Sequence, residues 1–217
     1  MILATSELEQ KLLVELTTEL GRPATIVGID EVGRGALAGP VAVGAVLLTT
    51  ETGPAPEGLA DSKLLRPAKR EQLVTEIHRW TPGAVGYGSV QDINEHGIMG
   101  ALRAAGMAAL AQLPVTPDLV LLDGSANWLA GPDLFAGDLP PVKAIIKGDQ
   151  QCTIIAAASI IAKVDRDRLM SELDGSDSYS WKSNKGYASP AHVDALTRLG
   201  PHRHHRTAWH LPGVTHE

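Results

Sequence analysis

Apolar positions recur along the chain with two periods, one typical of helices and one typical of strands. Residues 7–20 carry leucines at every fourth position, which predicts an amphipathic helix, and Ser6 and Glu9 have the spacing of a capping box at its start. The Gly-Arg-Pro sequence at 21–23 ends this helix. Further helices are predicted over residues 67–80, from a cap at Asp92 to about Leu113, over 153–173 and over 190–199.

Short apolar runs bounded by turn residues predict the strands. Residues 26–30 and 41–48 are separated only by a glycine-rich segment, which favours an antiparallel pair. Other strands are predicted over residues 84–90, 119–122 and 142–146. Because the later strands alternate with helices, the pattern indicates an α/β domain with a mixed sheet flanked by helices.

Carboxylates stand at the ends of three of these apolar runs, at Asp30, Asp123 and Asp149. Ligand sites in open α/β sheets lie at strand ends, so these side chains are candidates for one site. Glu31 follows Asp30 directly, and neighbouring side chains on a regular strand point to opposite faces. We therefore expect the backbone to leave regular strand geometry here, with the freedom that the glycines in residues 33–35 supply.

The chemistry of such a cluster favours a hard divalent cation. Carboxylates that converge without histidine or cysteine partners stay ionised only if cations compensate them. An all-oxygen ligand set suits Mg²⁺ or Mn²⁺, and two such ions ~4 Å apart can assist phosphoryl transfer. Taken singly, the turns at Asp123 and Asp149 are better explained as ordinary turns, but their coincidence with Asp30 and Glu31 favours the metal site.

Composition and charge narrow the class of protein. The 217 residues are 44% hydrophobic, enough for one sizeable core. The single cysteine, Cys152, excludes an internal disulfide and fits a reducing compartment. No apolar run approaches the ~20 residues of a membrane span, so a soluble, cytoplasmic protein is expected. The net charge of −6 argues mildly against a polyanionic partner, unless basic residues line a local groove.

Several motifs in order along the chain carry a family resemblance. Gly28–Pro40 contains an Asp-Glu-x-Gly-Arg-Gly signature. The other motifs are Asp-Ser-Lys at 61–63, Leu-Asp-Gly at 122–124, Lys-Gly-Asp at 147–149, the segment 156–164, Lys-Gly-Tyr at 185–187 and His-His-Arg at 204–206. Together they resemble bacterial ribonuclease HII over roughly residues 24–212. We predict an N-terminal helical extension over 1–22 and a catalytic domain over 23–217.

The resemblance implies a ribonuclease H-like fold with a small helical C-terminal region. It implies hydrolysis of the RNA strand of RNA–DNA hybrids and incision 5′ of single ribonucleotides in duplex DNA, leaving 5′-phosphate and 3′-hydroxyl ends. Mn²⁺ or Mg²⁺ is the implied cofactor, and a monomer is expected. The implied catalytic and metal-binding residues are Asp30, Glu31, Asp123 and Asp149.

The resemblance also implies a set of substrate contacts. The segment Gly33-Arg34-Gly35 is expected to sense the 2′-hydroxyl, and Tyr187 to stack on the next deoxyribose. Among four lysines at 63, 147, 163 and 185, the surroundings favour Lys63 and Lys185 as phosphate contacts. Ser159 is equally compatible with phosphate binding and with a back-bond to its own helix. The full candidate set is Gly33, Arg34, Gly35, Lys63, Ser159, Lys185 and Tyr187.

Two other clusters of polar residues receive no catalytic role. Alternating aspartates and arginines at 165–168 are interpreted as a surface ion-pair face of a helix. The histidines between 202 and 210 lack cysteine partners and regular spacing, so a structural or weakly basic role is favoured over zinc binding.

Three alternative functions remain for comparison. A ribonuclease HIII would carry a substrate-binding domain ahead of the first strand, which is not expected from the roughly 25 residues found there. A phosphate-binding module would need a glycine fingerprint that residues 33–39 do not match. A catalytically dead hybrid-binding protein is disfavoured because the four carboxylates are intact. The sequence gives no support for contact with a replication clamp.

Overall fold

A computed structural model describes residues 3–131 and 139–214 of the chain. Its centre is a five-stranded sheet with the order β3-β2-β1-β4-β5. β1 pairs antiparallel with β2, β2 antiparallel with β3, and β4 lies parallel to both β1 and β5, so the predicted mixed sheet is confirmed. The strands are β1 Thr25–Val32, β2 Val41–Thr49, β3 Gly83–Gly88, β4 Leu119–Asp123 and β5 Val142–Ile145.

Helices cover both faces of this sheet. The predicted long helices are confirmed, whereas two four-residue helices, at Gly148–Gln151 and Trp181–Asn184, and a 3₁₀ turn at Ser62–Leu64 were not predicted. Segments this short leave no periodic pattern for sequence analysis to detect. The helices are α1 Glu7–Leu20, α2 Pro67–Trp80, α3 Val90–Leu110, α4 Gly148–Gln151, α5 Thr153–Glu172, α6 Trp181–Asn184 and α7 Pro190–Leu199.

Alternate side chains of the central strands enter two different cores. On β1, Ile26 packs in the core that contains α5, whereas Val27 packs in the core that contains α3. β2 is buried along almost its whole length for the same reason, because helices cover the sheet on both sides. The sheet is therefore open to solvent mainly at the ends of its strands.

Helix α5 lies unusually close to the sheet, and two glycines permit this approach. A Cβ atom on Gly28 would lie 2.6 Å from the carbonyl carbon of Ile154, and one on Gly44 would lie 2.2 Å from the carbonyl oxygen of Ala158. Both distances are too short for a real methyl group, so any larger residue would force α5 away from β1 and β2. This contact places the first half of α5 beside the carboxyl end of β1.

The predicted capping box of α1 and the predicted start of α3 are wrong, although α1 begins at Glu7 as predicted. Ser6 makes no capping hydrogen bond, and the Glu9 side chain turns into the protein and contacts Thr153 instead of the start of its own helix. The long helix is capped by Ser89 and not by Asp92. Asp92 stands at the third helical position and completes a capping box with Ser89, so Val90, predicted to end a strand, begins the helix.

The predicted departure from strand geometry at the first two carboxylates is also wrong. Asp30 pairs with Gly44, and Glu31 with Val43, in unbroken antiparallel register that continues to Val32. The turn begins only at Gly33, whose φ is +85°. The two carboxylates therefore leave opposite faces of a regular strand.

The C-terminal region forms a small helical unit with its own core, as predicted. Trp181 and Met170 are fully buried in this core. In the described part of the chain, no helix combines the length and the apolar character that crossing a membrane would require.

Candidate active site

Asp30 and Asp123 lie side by side toward the carboxyl ends of the neighbouring strands β1 and β4, at the end of the sheet where the site is expected. β1 and β4 are parallel, and their last paired residues are Ile29 and Leu122, so the two carboxylates directly follow the last residues of this pairing. The strand ends thus converge as the sequence predicted.

Asp149 reaches the same edge through the short helix α4. The amide of Gly148 donates a 2.7 Å hydrogen bond to Oδ1 of Asp123 and so ties the start of α4 to the end of β4. Lys147 adopts left-handed backbone geometry, with φ of +55°, which turns the chain sharply from β5 into α4. Asp149 therefore directly follows Gly148, whose amide is bonded to Asp123.

Burial and the charge of their neighbours raise the pKa values of three of these carboxyls. Asp30 is only 8% exposed, and its burial, with added repulsion from Glu31 and Asp123, raises its pKa well above the usual range. Burial raises the pKa of Glu31, and the neighbouring guanidinium of Arg34 offsets this only in part. The pKa of Asp149 rises to about 6 through burial and through the charge of Asp123. Asp123 is the shared neighbour of the other three.

Lys63 and Asp61 extend this cluster from the loop before α2. Burial opposes the charge of Lys63, yet the carboxylates of Asp61, Asp30 and Asp149 raise its pKa overall. Asp61 also lies within hydrogen-bonding reach of Asp149 and contributes to the raised pKa of that group. The Asp-Ser-Lys motif therefore brings an ammonium group, and a fifth carboxylate, to the predicted site.

Ser159 faces the site from α5 and does not back-bond to its own helix. Its hydroxyl lies 2.9 Å from that of Ser62, and it hydrogen-bonds the carboxylate of Asp30, which counters the rise in the pKa of Asp30. The close packing of α5 on the sheet makes this contact possible.

The buried side chain of Arg206 anchors the segment at 33–35 through hydrogen bonds to its backbone. Its guanidinium donates hydrogen bonds of 2.7 Å to the carbonyl of Gly33 and 2.8 Å to that of Arg34. In a trans peptide the carbonyl and the next amide point in opposite directions. The amides of Arg34 and Gly35 consequently point away from Arg206, and neither has an acceptor within the described part of the chain.

Open space lies above this segment. A Cβ atom on Gly35 would meet no protein atom within 4 Å. Packing within the protein therefore does not require a glycine here, and the missing side chain leaves room for a ligand to approach the two free amides. The Arg34 side chain is exposed and forms a 3.5 Å ion pair with Glu31.

Tyr187 stands beside the same segment, with 37% of its surface exposed as predicted. Its phenolic oxygen accepts a 3.1 Å hydrogen bond from the amide of Gly33. The guanidinium of Arg166 lies 5.7 Å from the centre of its ring.

The placement of Arg166 corrects the prediction of a surface ion-pair face at 165–168. Asp165 and Asp167 do form ion pairs, with Arg168 and Lys163. Arg166, however, is fully buried and donates to the carbonyls of Pro40, Ala38 and Lys185. Helical phase could not separate it from its neighbours, because its partners come from distant loops.

Comparison with known proteins now decides the family. A family model described as Ribonuclease HII matches residues 27–211. The chain belongs to the ribonuclease HII family. It is accordingly a ribonuclease H, an endonuclease that acts on the RNA of RNA–DNA hybrids.

Named relatives support the same assignment. The ribonuclease HII of Streptomyces griseus is 46% identical to this chain over 85% of the chain and 77% of the relative. That of Cereibacter sphaeroides is 44% identical over 85% of the chain and 83% of the relative. The family match begins at residue 27, so the division of the chain at residue 22 stays a prediction.

Solved structures share the fold. Ribonuclease H2 from Pyrococcus horikoshii has a TM-score of 0.66 and 26% identity, over 87% of this chain and 95% of that one. RNase HII of Archaeoglobus fulgidus, solved in a complex with PCNA, has a TM-score of 0.66 and 27% identity, over 85% and 93% of the two chains. Bst-RNase HIII, solved with Mn²⁺, has a TM-score of 0.63 and 21% identity over 85% and 64%, and shows the fold alone.

Lys185 is the predicted contact that the structure does not bring to the carboxylates. Its ammonium group donates a 2.6 Å hydrogen bond to Ser171 on α5. With Lys163 it lines a groove of about 790 Å³ between α2, α5 and α6. A role for Lys185 in substrate binding stays a prediction, and it would act in this groove.

Among the C-terminal histidines, His205 has the structural role that the sequence favoured. His192 and His205 are buried, with their Nε2 atoms 2.9 Å apart, and both pack against Trp181. Nδ1 of His192 lies 2.9 Å from the carbonyl oxygen of Tyr187. The cluster thus supports the segment that carries Tyr187, and burial lowers the pKa of His205 to about 4.

Sequence reasoning missed Arg206, Asp61 and Arg166 as parts of this site. Arg206 and Asp61 each belong to a motif that was recognised, His-His-Arg and Asp-Ser-Lys. A buried arginine without a carboxylate partner leaves no periodic signal. Only the motifs themselves could have pointed to it.

Proposed function

We propose that this ribonuclease H incises duplex DNA 5′ of single ribonucleotides, in addition to cutting the RNA strand of hybrids, with two divalent cations. The main support for this proposal is the arrangement of the carboxylates next to the segment 33–35. Four mutually repelling carboxylates stand at one sheet edge, directly beside a loop that presents two free backbone amides and an exposed tyrosine ring.

The donor chemistry of the site fits Mn²⁺ or Mg²⁺. Asp30, Glu31, Asp123 and Asp149 supply only oxygen atoms, and burial together with the charge of neighbouring carboxylates raises the pKa values of Asp30 and Asp149, which a bound cation would offset. Within residues 3–131 and 139–214, no three His, Cys, Asp or Glu side chains form a ready-made ligand cluster. The fit therefore rests on donor type and mutual charge. Bound there, such ions would activate a water molecule and stabilise the leaving oxygen.

Lys63 is the candidate contact to the phosphate at the site. Its ammonium group is near Asp30 and Asp149, so it would pair with a phosphate that enters between them. Its raised pKa keeps Lys63 charged throughout the pH range of an assay.

Recognition of the ribonucleotide falls to the segment 33–35. A protein distinguishes RNA from DNA at one position through hydrogen bonds to the 2′-hydroxyl. The amides of Arg34 and Gly35 are fixed donors with open space above them, which suits that hydroxyl and the neighbouring phosphate. Tyr187 would pack its exposed ring face on the next deoxyribose.

Location and assembly complete the proposal. We infer action in the cytoplasm as a monomer, on hybrids and on ribonucleotide-containing duplex DNA. The Archaeoglobus fulgidus relative was solved with PCNA, but no feature of this chain's described residues argues for a clamp contact of its own.

The decisive experiment uses a DNA duplex with one embedded ribonucleotide and an otherwise identical all-DNA duplex. We expect one nick 5′ of the ribonucleotide with Mn²⁺ or Mg²⁺, none with chelator, and none in the all-DNA control. Asp30→Asn should remove cleavage and keep binding, because the amide oxygen of an asparagine can still accept the bond from the Glu31 amide. A wild-type protein that binds this duplex without cutting it in either metal would refute the proposal and favour a binding module.

A further inference from the structure

Glu9 is a fully buried carboxylate whose hydrogen-bond partners lie more than 140 positions away in sequence. One of its oxygens accepts a hydrogen bond from the hydroxyl of Thr153, and the other accepts a 3.2 Å bond from the amide of Ile154. These donors belong to the first turn of α5, where backbone amides lack partners within the helix. Cys152, the residue at the capping position, makes no side-chain bond to them.

Glu9 therefore supplies from α1 the cap that α5 lacks in its own sequence. A carboxylate at a helix N-terminus also interacts favourably with the helix dipole. Burial raises the pKa of Glu9 to about 7, and the bonds from Thr153 and Ile154 favour its ionised form.

The capped end of α5 is directly continuous with the helix that carries Asp149. The amide of Cys152 bonds at 2.8 Å to the carbonyl of Gly148, and the amide of Gly148 bonds to Asp123. The segment 148–153 is thus held by a carboxylate at each end, Asp123 before Asp149 and Glu9 after it.

The chain ahead of α1 makes two further contacts to the same region. The hydroxyl of Thr5 bonds at 3.4 Å to the carbonyl of Gln151, and the amide of Ala4 bonds at 2.9 Å to the carbonyl of Leu59. Leu59 precedes the Asp-Ser-Lys motif. The N-terminal segment therefore touches both loops that bring charge to the site beside the strand ends.

We propose that Glu9 is a positioning residue for Asp149: by capping α5 from α1, it fixes the short helix that presents this carboxylate to the metal. The inference rests on the proposed metal-binding role of Asp149, and it gives the helix at 7–20 a part in the reaction. Glu9 itself touches neither substrate nor metal.

The test measures Mn²⁺ binding by calorimetry in the absence of nucleic acid, together with thermal melting and cleavage kinetics. In Glu9→Gln the side chain keeps its shape but has only one acceptor for two donors. We expect Mn²⁺ affinity to fall roughly tenfold, the lower end for outer-shell partners of metal sites. The KM for the duplex should stay within about twofold, because the substrate surface is unchanged. Glu7→Gln, on the exposed face of α1, is the matched control and should bind Mn²⁺ as the wild type does.

A second variant distinguishes the positioning of Asp149 from the attachment of α1 to α5. Cys152→Ser places an acceptor at the capping position of α5, so in the Glu9→Gln background it should restore Mn²⁺ affinity while restoring only part of the melting temperature, because the contact of α1 with α5 stays weakened. Unchanged Mn²⁺ affinity in Glu9→Gln with a lowered melting temperature would overturn the inference, and so would failure of Cys152→Ser to restore affinity. If instead the wild type binds no Mn²⁺ and cuts nothing, the proposed function itself has failed.

Discussion

The amide of Gly33 donates a 3.1 Å hydrogen bond to the phenolic oxygen of Tyr187, across 154 positions of sequence. The bond joins the loop with the free amides to the exposed aromatic ring beside it. Arg166 packs against both partners of this bond. Its side chain lies so close to Gly33 that a Cβ atom there would be 2.1 Å from its Nε atom, and its guanidinium faces the ring of Tyr187. Loop and ring are therefore joined into one surface, which we propose binds a nucleotide.

Substitution of Tyr187 should test this surface in two steps. Tyr187→Phe keeps the ring and removes the acceptor for the Gly33 amide, which should slow cleavage at a single ribonucleotide several-fold. Tyr187→Ala also removes the ring, and we expect a loss of roughly tenfold or more, since aromatic contact with a nucleotide is worth ~1–3 kcal/mol. Single-turnover rates measure both. Tyr87→Phe loses a hydroxyl bond to Asp165 on α5 and serves as the control. Equal rates for wild type and Tyr187→Ala would exclude Tyr187 from recognition.

Asp123→Asn should abolish turnover without unfolding the protein. The amide oxygen of asparagine still accepts the Gly148 bond, while the charge that repels Asp30, Glu31 and Asp149 disappears. We expect a rate loss above ~100-fold, beyond that seen for outer-shell partners of metal sites, and a melting temperature equal to or above the wild type.

The control for Asp123 lies at the other end of the same strand. Asp118 binds Arg22 and the amide of Thr25, so Asp118→Asn should lower the melting temperature and leave turnover intact. Retained turnover in Asp123→Asn would contradict the carboxylate mechanism. A large loss of stability in that variant would assign Asp123 a structural role instead.

How far the sequence predicts this molecule depends on the range of the interaction involved. The strands, the long helices and the convergence of Asp30 with Asp123 follow from local pattern and from the geometry of parallel strands. Glu9 shows where prediction from local pattern fails. Its spacing from Ser6 indicates a cap on its own helix, yet it caps α5 instead. A local pattern cannot distinguish a carboxylate that bonds its own helix from one that bonds a helix 144 residues away.

The site shows the same division. Motif and strand-end reasoning find the carboxylates, Tyr187 and the segment at 33–35. The side chains that orient this segment, Arg166 and Arg206, donate to carbonyls of distant loops. Carbonyl groups are present at every residue, so the sequence contains no complementary partner that would reveal such bonds.

Arg206 should control discrimination of the ribonucleotide without affecting the metal. Arg206→Lys keeps a positive charge but cannot span the carbonyls of Gly33, Arg34 and Gly39 with one planar fork. The peptide groups at 33–35 then lose their fixed orientation. We expect cleavage at a single ribonucleotide to fall roughly tenfold, ~1.4 kcal/mol in the barrier, with calorimetric Mn²⁺ affinity unchanged. Arg203→Lys, on an exposed side chain, is the control. Loss of Mn²⁺ affinity together with cleavage would mean that Arg206 supports the whole site.

Glu9 should impose a measurable pH dependence on stability. Its pKa is about 7 in the folded protein against 4.5 for an ordinary glutamate, and burial is the main cause. Between these values the folded state holds a proton that the unfolded state has released, so the free energy of unfolding falls as pH rises from about 4.5 to 7.

Glu9→Gln lacks this dependence. The melting temperature of the variant minus that of the wild type should therefore increase across this range and level off above pH 7. Asp149 titrates in both proteins, and burial together with the charge of Glu9 raises the pKa of Cys152 to about 12, outside the range. A difference in melting temperature that does not change with pH would show that Glu9 has an ordinary pKa in the folded protein, and that its burial costs the ionised form little.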